Sequence, residues 1–398
     1  MENKNCNNQS LNSHMLFFDP INRKVTPMPN VIPKKGEAPK APGPAHRANA
    51  EFTDVPGVRT LPDGKVEVTF YAPNAHTVEL RRLGTEKGYF MEKIEDGYWR
   101  VVIENLEPGF HYHHYYVDGV QTVNPTIPFG YGCSEVMNYL DVPYPDQDYY
   151  LLKQVPHGTL HMELIYSQQA ERYRNAWVYT PPAYEQNPDK RYPVMYIQHG
   201  GGENEMGWFW QGKLNYIADN LLAEGKCKEM IIVCCAGYSI KRLENGNCLN
   251  LDYTDAMINE IVPFIDSKYR TIADREYRAM AGLSMGGGQA RIIAHRHPEV
   301  FANLGQFSCG GGFVVKGDSL YGTADYSELF ATPEHYNSLM KLTFITCGTE
   351  DPRDAYTSVQ VKELADQGYN VEYHTYPGDH EWNAWRPAAR DFMMRLFR

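Results

Sequence analysis

The sequence has no long apolar run, no basic stripe and no paired-cysteine spacing, and each absence removes a class of protein. Its longest apolar stretches, such as 230–236, fall far short of the ~20 residues needed to cross a bilayer, which excludes a membrane-spanning chain. Positive charge is scarce: 38 Lys+Arg stand against 49 Asp+Glu, a net of −11. With no cluster able to neutralise a phosphate backbone, nucleic acid is excluded as a partner. The eight cysteines (6, 133, 227, 234, 235, 248, 309 and 347) lack C-x-x-C spacing, and several sit in apolar runs where a thiol packs as a small hydrophobe. They are expected to be mostly free thiols, which favours a reducing compartment. The first fifteen residues, MENKNCNNQSLNSHM, lack the apolar core of a secretory signal. The expectation is a cytoplasmic protein, or a secreted or periplasmic one whose leader has been removed. Nothing in the pattern fixes an oligomeric state.

What is present describes an ordered protein of two or three domains: 398 residues, 42% of them hydrophobic, with 33 Gly, 26 Pro and 29 Tyr. Prolines crowd 20–44, so residues 1–50 are expected to be a flexible tail. Over 51–142 the pattern becomes short alternating runs, Val66, Val68 and Phe70 sharing one parity and Trp99, Val101 and Ile103 another. Turn signals at Pro62-Asp63-Gly64, Glu95-Asp96-Gly97, Glu107-Pro108-Gly109 and Asp118-Gly119 punctuate them, which predicts a small all-β sandwich. A connector, PYPDQDYY at 143–150, leads into 151–398, where strand runs alternate with helical periodicity, the pattern of a mixed α/β sheet. Strands are predicted near 161–168, 176–180, 194–198, 230–236, 277–281, 303–307, 342–347 and 371–376. Helices are predicted near 214–223, 252–268, 286–296, 356–367 and 387–396.

The strongest chemical signal is a β run entering Gly282-x-Ser284-x-Gly286 and leaving as a helix. Small residues on both sides permit the strained strand-to-helix turn that exposes a nucleophilic hydroxyl, and the helix N-terminus favours developing negative charge. A serine hydroxyl needs a base, and hydrolases built on this turn supply partners in the order Ser, acid, His. Asp351 follows the strand LTFITCG, and His380 follows the next strand in PGDHEW. Asp351 is the expected acid; Glu350, Asp354 and Asp379 are its rivals. The strand PVMYIQ runs into His199-Gly200-Gly201-Gly202-Glu203-Asn204, a loop whose side-chain-free amides can approach an oxyanion; the expected donors are the amides of Gly201 and Met285. No Gly-Lys-Ser/Thr follows this loop, which argues against nucleotide binding. Trp208, Phe209, Trp210, Trp382 and Trp385 flank the loop and the histidine and are candidates for an aromatic acyl or sugar pocket. His111 and His113 share a strand face that would suit a metal, but no further ligand cluster accompanies them, so no metal and no cofactor are expected.

Through WVYTPPAY at 177–184, QHGGGENE at 198–205, AGLSMGGG at 281–288, CGTEDP at 347–352 and GDHEWNAWR at 378–386, the chain from about 150 resembles carbohydrate esterase family 1. That family includes feruloyl, acetylxylan and enterochelin esterases. Separately, 58–142 resembles a family 48 carbohydrate-binding module, an E-set (immunoglobulin-like) sandwich, through VTFYAPNAHTVEL and EDGYWRVVIENLEPGFHYHHYYVDG, with Asn124-Pro125 standing where such modules more often have Asp-Pro. The resemblance implies an α/β-hydrolase fold behind the sandwich, with Ser284, Asp351 and His380 as catalytic triad. It implies release of hydroxycinnamoyl (ferulic acid) groups from plant cell-wall arabinoxylan, with a feruloylated or acetylated plant polysaccharide or oligosaccharide as the partner. The competing readings are an acetylxylan esterase, an enterochelin-type siderophore esterase, whose anionic ferric substrate asks for a basic pocket, and a non-catalytic carbohydrate-binding protein.

Overall fold

In the computed structural model the described residues are 23–24, 51–52, 57–84, 88–245, 248–250, 252–309, 313, 315–319 and 322–398. Apart from 23–24, the proline-rich tail expected over 1–50 lies outside them. The chain divides into two compact units, one of Met1–Gly130 with Val136–Gln147 and one of Tyr131–Glu135 with Asp148–Arg398.

Unit 1 is built from short antiparallel strands, as its alternating pattern demands. One sheet orders Val58–Thr60, Val66–Tyr71, Tyr98–Ile103 and Glu92–Lys93; in the other, Gly109–Val117 lies between Val78–Arg82 and Glu135–Val142. Val58, Val66, Val68, Phe70, Val78, Leu80, Trp99, Tyr115 and Leu140, drawn from both sheets, form one buried cluster. His111 and His113, the candidate metal pair, are both buried on the strand Gly109–Val117, and His113 Nδ1 bonds the His111 carbonyl at 2.9 Å. Burial drives the His113 ring down to about 3. No group of three or more metal-capable side chains occurs among the described residues.

Unit 2 holds an eight-stranded mixed sheet. Its strands are β1 (Thr159–Ser167), β2 (Arg172–Thr180), β3 (Val194–Gln198), β4 (Ile231–Cys235), β5 (Arg278–Leu283), β6 (Asn303–Phe307), β7 (Leu342–Gly348) and β8 (Glu372–Tyr376), in spatial order β1-β2-β4-β3-β5-β6-β7-β8. The first two pairings in that order, β1 with β2 and β2 with β4, are antiparallel and the rest parallel. A parallel strand covered on both faces must be apolar along its length rather than alternating. VMYIQ, IIVCC and RAMAGL meet that demand, and every residue of the three is buried. The helix α1 (Met285–Arg296) follows β5 and keeps Gly286, Gly287, Gly288 and Ala290 on its buried face, where small residues let it lie close to the sheet. The last helix, α2 (Trp382–Arg395), starts five residues ahead of the predicted position, with Pro387 inside it. Trp382, Trp385, Ala388, Ala389, Phe392 and Met393 are buried along it, and that packing outweighs the hydrogen bond a mid-helix proline removes. A further helix, Pro333–Leu339, capped by Thr332, has no counterpart among the predicted ones. No described helix is long and apolar enough to cross a membrane.

Candidate active site

The site collects at the carboxyl ends of the parallel strands, the place where the edges of an open α/β sheet leave room for a ligand. Ser284 occupies the turn between β5 and α1 with φ 51° and ψ −116°, a conformation that side-chain-bearing residues avoid. Its neighbours explain how the turn is held. A Cβ on Gly282 would stand 2.4 Å from the Gly286 carbonyl, and one on Gly286 would stand 2.6 Å from the carbonyls of Gln198 and His199. The Ser284 amide donates to Phe307 O at 2.8 Å, tying the turn to β6.

His380 lies in the loop between β8 and α2, and its two ring nitrogens face different partners. Nε2 is 2.9 Å from Ser284 Oγ, and Nδ1 is 2.9 Å from Asp351 Oδ2. Asp351, buried in the turn after β7, also accepts the Arg353 amide at 3.0 Å and Arg353 Nη1 at 2.9 Å. Burial alone would raise its carboxyl, but the bonds from His380 and Arg353 prevail and hold it at about 2, so it stays ionised. The rival acids point elsewhere. Asp379 takes the backbone amide of His380 at 2.7 Å, Asp354 takes the Tyr373 hydroxyl, and Glu350 is exposed. The Trp385 ring stands edge-on to His380, centroids 5.1 Å apart, and limits its rotation.

The glycine loop after β3 can be read amide by amide. Gly200 N–H is taken by Glu203 Oε2 at 2.9 Å, and Gly202 N–H by the Tyr238 hydroxyl at 2.7 Å. Gly201 N–H has no partner among the described residues, and the position of a Gly201 Cβ lies 3.9 Å from Met285 Cβ. Met285 is the first residue of α1, so its amide is one of the four that a helix leaves unused at its start. The Gly201 and Met285 amides thus flank the serine turn, and the partial positive end of α1 adds to the same field. The segment Tyr131–Glu135 also meets this loop: Ser134 N–H donates to Gly202 O at 2.8 Å, and Gln211 Nε2 donates to Tyr131 O at 2.9 Å.

Burial removes Trp208 and Trp382 from the expected aromatic pocket. Trp208 is 0% and Trp382 1% exposed, and their rings meet at right angles, 5.2 Å between centroids. Trp208 Nε1 donates to Gln198 O at 2.8 Å, so it props the end of β3 and has no surface left for a substrate. Phe209 and Trp385 are buried too, and Trp210 is half-buried. Trp208, Trp382 and Trp385 pack in a row that runs from Gln198 O to the His380 ring. Glu203, Tyr238, Arg353 and Ser134 are site residues that the sequence reading missed. Glu203 stands inside the glycine motif and Arg353 two residues after Asp351, whereas Tyr238 and Ser134 arrive from distant parts of the chain.

Against known proteins, the family model described as "Putative esterase" matches residues 167–393. Over 367 residues, 90% of this chain, the sequence is 32% identical to the endo-1,4-beta-xylanase/feruloyl esterase of Xylanibacter ruminicola, across 47% of that protein. The endo-1,4-beta-xylanase Y of Acetivibrio thermocellus is 33% identical over 121 residues, 28% of this chain and 10% of that protein. The chain thus spans less than half the length of these two relatives. Among solved structures, a ferulic acid esterase of Anaeromyces mucronatus, determined with ferulic acid, is 26% identical with a TM-score of 0.53, covering 64% of this chain and 96% of its own. The enterobactin esterase of Shigella flexneri superposes with a TM-score of 0.61 over 85% of this chain and 95% of its own at 14% identity, which is a likeness of fold.

Proposed function

Starting from the premise that the chain belongs to the esterase family and is a serine carboxylic-ester hydrolase, we propose that it releases hydroxycinnamoyl groups, ferulate foremost, from plant cell-wall arabinoxylan. The observation that carries the reading is the unbroken line Ser284 Oγ, His380 Nε2, His380 Nδ1, Asp351 Oδ2, with 2.9 Å at both joints. In this reading His380 Nε2 takes the serine proton while Oγ bonds to the ester carbonyl carbon. The carbonyl oxygen, now an oxyanion, accepts the Gly201 and Met285 amides. The C–O bond to the sugar breaks as His380 returns the proton to the departing alkoxide, leaving a feruloyl ester on Ser284. Water then repeats the sequence, giving up a proton to His380 and freeing ferulate. Asp351 holds the ring with Nδ1–H toward itself and stabilises the imidazolium. Nothing in these steps calls for a metal or cofactor.

The choice of acyl group rests on the two ferulate-named neighbours above and on an acidic chain, which suits a neutral polysaccharide better than an anionic ferric chelate. Unit 1 is proposed as the carbohydrate-binding module that retains the polymer. The test sets methyl ferulate, acetylated xylan and enterobactin side by side, with the Ser284→Ala protein as control and its retardation in an arabinoxylan gel as a measure of polymer binding. Methyl ferulate is expected to turn over fastest, the serine variant to lose ~10³-fold or more, and the gel to retard that variant. Preferential cleavage of acetyl groups or enterobactin would replace the acyl assignment. Unchanged mobility in the gel would remove the polymer role.

A further inference from the structure

The Gly201 amide can serve an oxyanion only if the peptide that carries it faces Ser284, and the side chains around that peptide indicate what turns it. A trans peptide is a rigid plane whose C=O and N–H point in opposite directions. The Gly200 carbonyl of the 200–201 peptide receives two donors, His199 Nδ1 at 2.8 Å and the Glu203 amide at 3.3 Å. With that oxygen pulled toward His199 and Glu203, the Gly201 N–H on the other side of the plane is directed away from them. The preceding amide, Gly200 N–H, is held by Glu203 Oε2 at 2.9 Å. Glu203 therefore grips Gly200 at both ends, and His199 adds a second hold. The His199 ring is itself oriented, since Gly237 N–H donates to its Nε2 at 2.8 Å, which leaves Nδ1 as the protonated nitrogen that bonds Gly200. Both side chains are buried, His199 completely. Burial also favours the neutral ring that this donor-and-acceptor pattern requires, lowering the His199 pKa. Neither side chain has a proton-transfer role in the mechanism above, and a buried carboxyl tied to one loop amide needs an explanation.

We propose that Glu203 and His199 are positioning residues that clamp the Gly200–Gly201 peptide from one side so that the Gly201 amide is presented to the oxyanion. The inference rests on the esterase reading of the site and extends it by naming what aims one of its two donors.

The decisive measurement is the inhibition constant of an aryl boronic acid, because the boronate bonded to Ser284 places an oxygen where the oxyanion would sit, and a Ki does not depend on how much of the sample is folded. Glu203→Ala, which removes the carboxyl, is expected to lower kcat on an aryl ester by about 10- to 100-fold, short of the full loss of one donor. Ki should rise in step while KM stays within a few-fold. Glu203→Gln keeps an acceptor for Gly200 N–H and is expected to recover most of both. His199→Ala should behave like Glu203→Ala, and His199→Asn, whose amide can replace the Nδ1 donor, should recover part; this pair decides the matter should Glu203→Ala not fold. A fall in kcat with Ki unchanged in the Glu203 and His199 variants would show loss of folded protein rather than loss of aim, and would overturn the proposal. A wild-type protein inert toward aryl esters would instead overturn the esterase reading on which it stands.

Discussion

Asp351 keeps its charge because three donors converge on it, and that arrangement separates it from the acids around it. Replacing it by Asn retains the shape, removes the charge and offers an amide N–H to the nitrogen that should be the donor, so the imidazole is pushed toward the wrong tautomer. Asp351→Asn is expected to cost on the order of 10³- to 10⁴-fold in kcat with KM little changed. Asp354→Asn, which keeps a carbonyl oxygen for the Tyr373 hydroxyl and changes nothing that touches His380, should leave kcat near wild type. Steady-state kinetics on an aryl ester checks both, and the opposite ranking would move the acid. Chain order already pointed to Asp351, since it stands just past a strand end while Asp379 adjoins His380. What chain order could not supply is Arg353, two residues on, whose amide and guanidinium both bind the carboxylate. Trp208 and Trp382 failed as pocket residues for the opposite reason. Proximity in sequence to the oxyanion loop and the histidine was legible, but whether an indole faces solvent or the sheet depends on packing against α2, which no local pattern reports.

At the scale of elements, the turn from β5 into α1 combines a serine at positive φ with two glycines whose missing side chains are filled by backbone. Carbonyl oxygens of β3's end cannot move aside without breaking the sheet, so even one methyl must be accommodated by shifting α1. Gly286→Ala is expected to destabilise the protein by about 1–3 kcal/mol, as overpacking a tight contact does, and to lower kcat by displacing the Met285 amide and Ser284 together. Urea unfolding and esterase assays on the same sample check it, and wild-type stability would show that the turn has slack. The elements easiest to read were those under the strongest constraint: β3, β6 and the helix Leu214–Ala223 fall where the sequence predicts them to the residue, because uninterrupted burial or a full apolar stripe leaves one solution. Boundaries slipped where tertiary packing overrides a local rule. Pro387 reads as the first turn of a helix, but in the structure a whole buried turn precedes it, since Trp382 and Trp385 gain more from the core than the proline costs.

Across the whole molecule, the division expected at the 143–150 connector meets one exception. Tyr131–Glu135, from the run read as β-sandwich, belongs to unit 2, where Ser134 and Tyr131 bond to the oxyanion loop and to Gln211. A hairpin's turn residues reveal its shape but not what its tip touches. Removing 1–142 would therefore take away a contact of the oxyanion loop along with unit 1. The molecule as a whole also carries a dependence on pH that its catalytic groups do not set. His295, on α1, is fully enclosed by Phe313, Tyr326, Phe330 and Tyr336 at 5.1–6.1 Å between centroids, and neither ring nitrogen has a partner among the described residues. Burial, aided by the charge of Arg291, pushes it down to about 3, whereas an unfolded histidine titrates near ~6.5. Between those values the unfolded chain binds a proton that the folded one refuses, so stability rises with pH and is lost as pH falls below the unfolded value, by about 1.4 kcal/mol per pH unit for this one group. His295→Leu keeps an apolar side chain of similar bulk in the cage and removes the proton site. The wild-type protein should therefore lose stability between pH 6.5 and pH 4 more steeply than the variant, with the gap widening toward acid, while His113 and the carboxylates titrate in both and cancel in the difference. Urea midpoints across that range check it, and a gap that does not change with pH would mean that the His295 ring takes up its proton without leaving the cage.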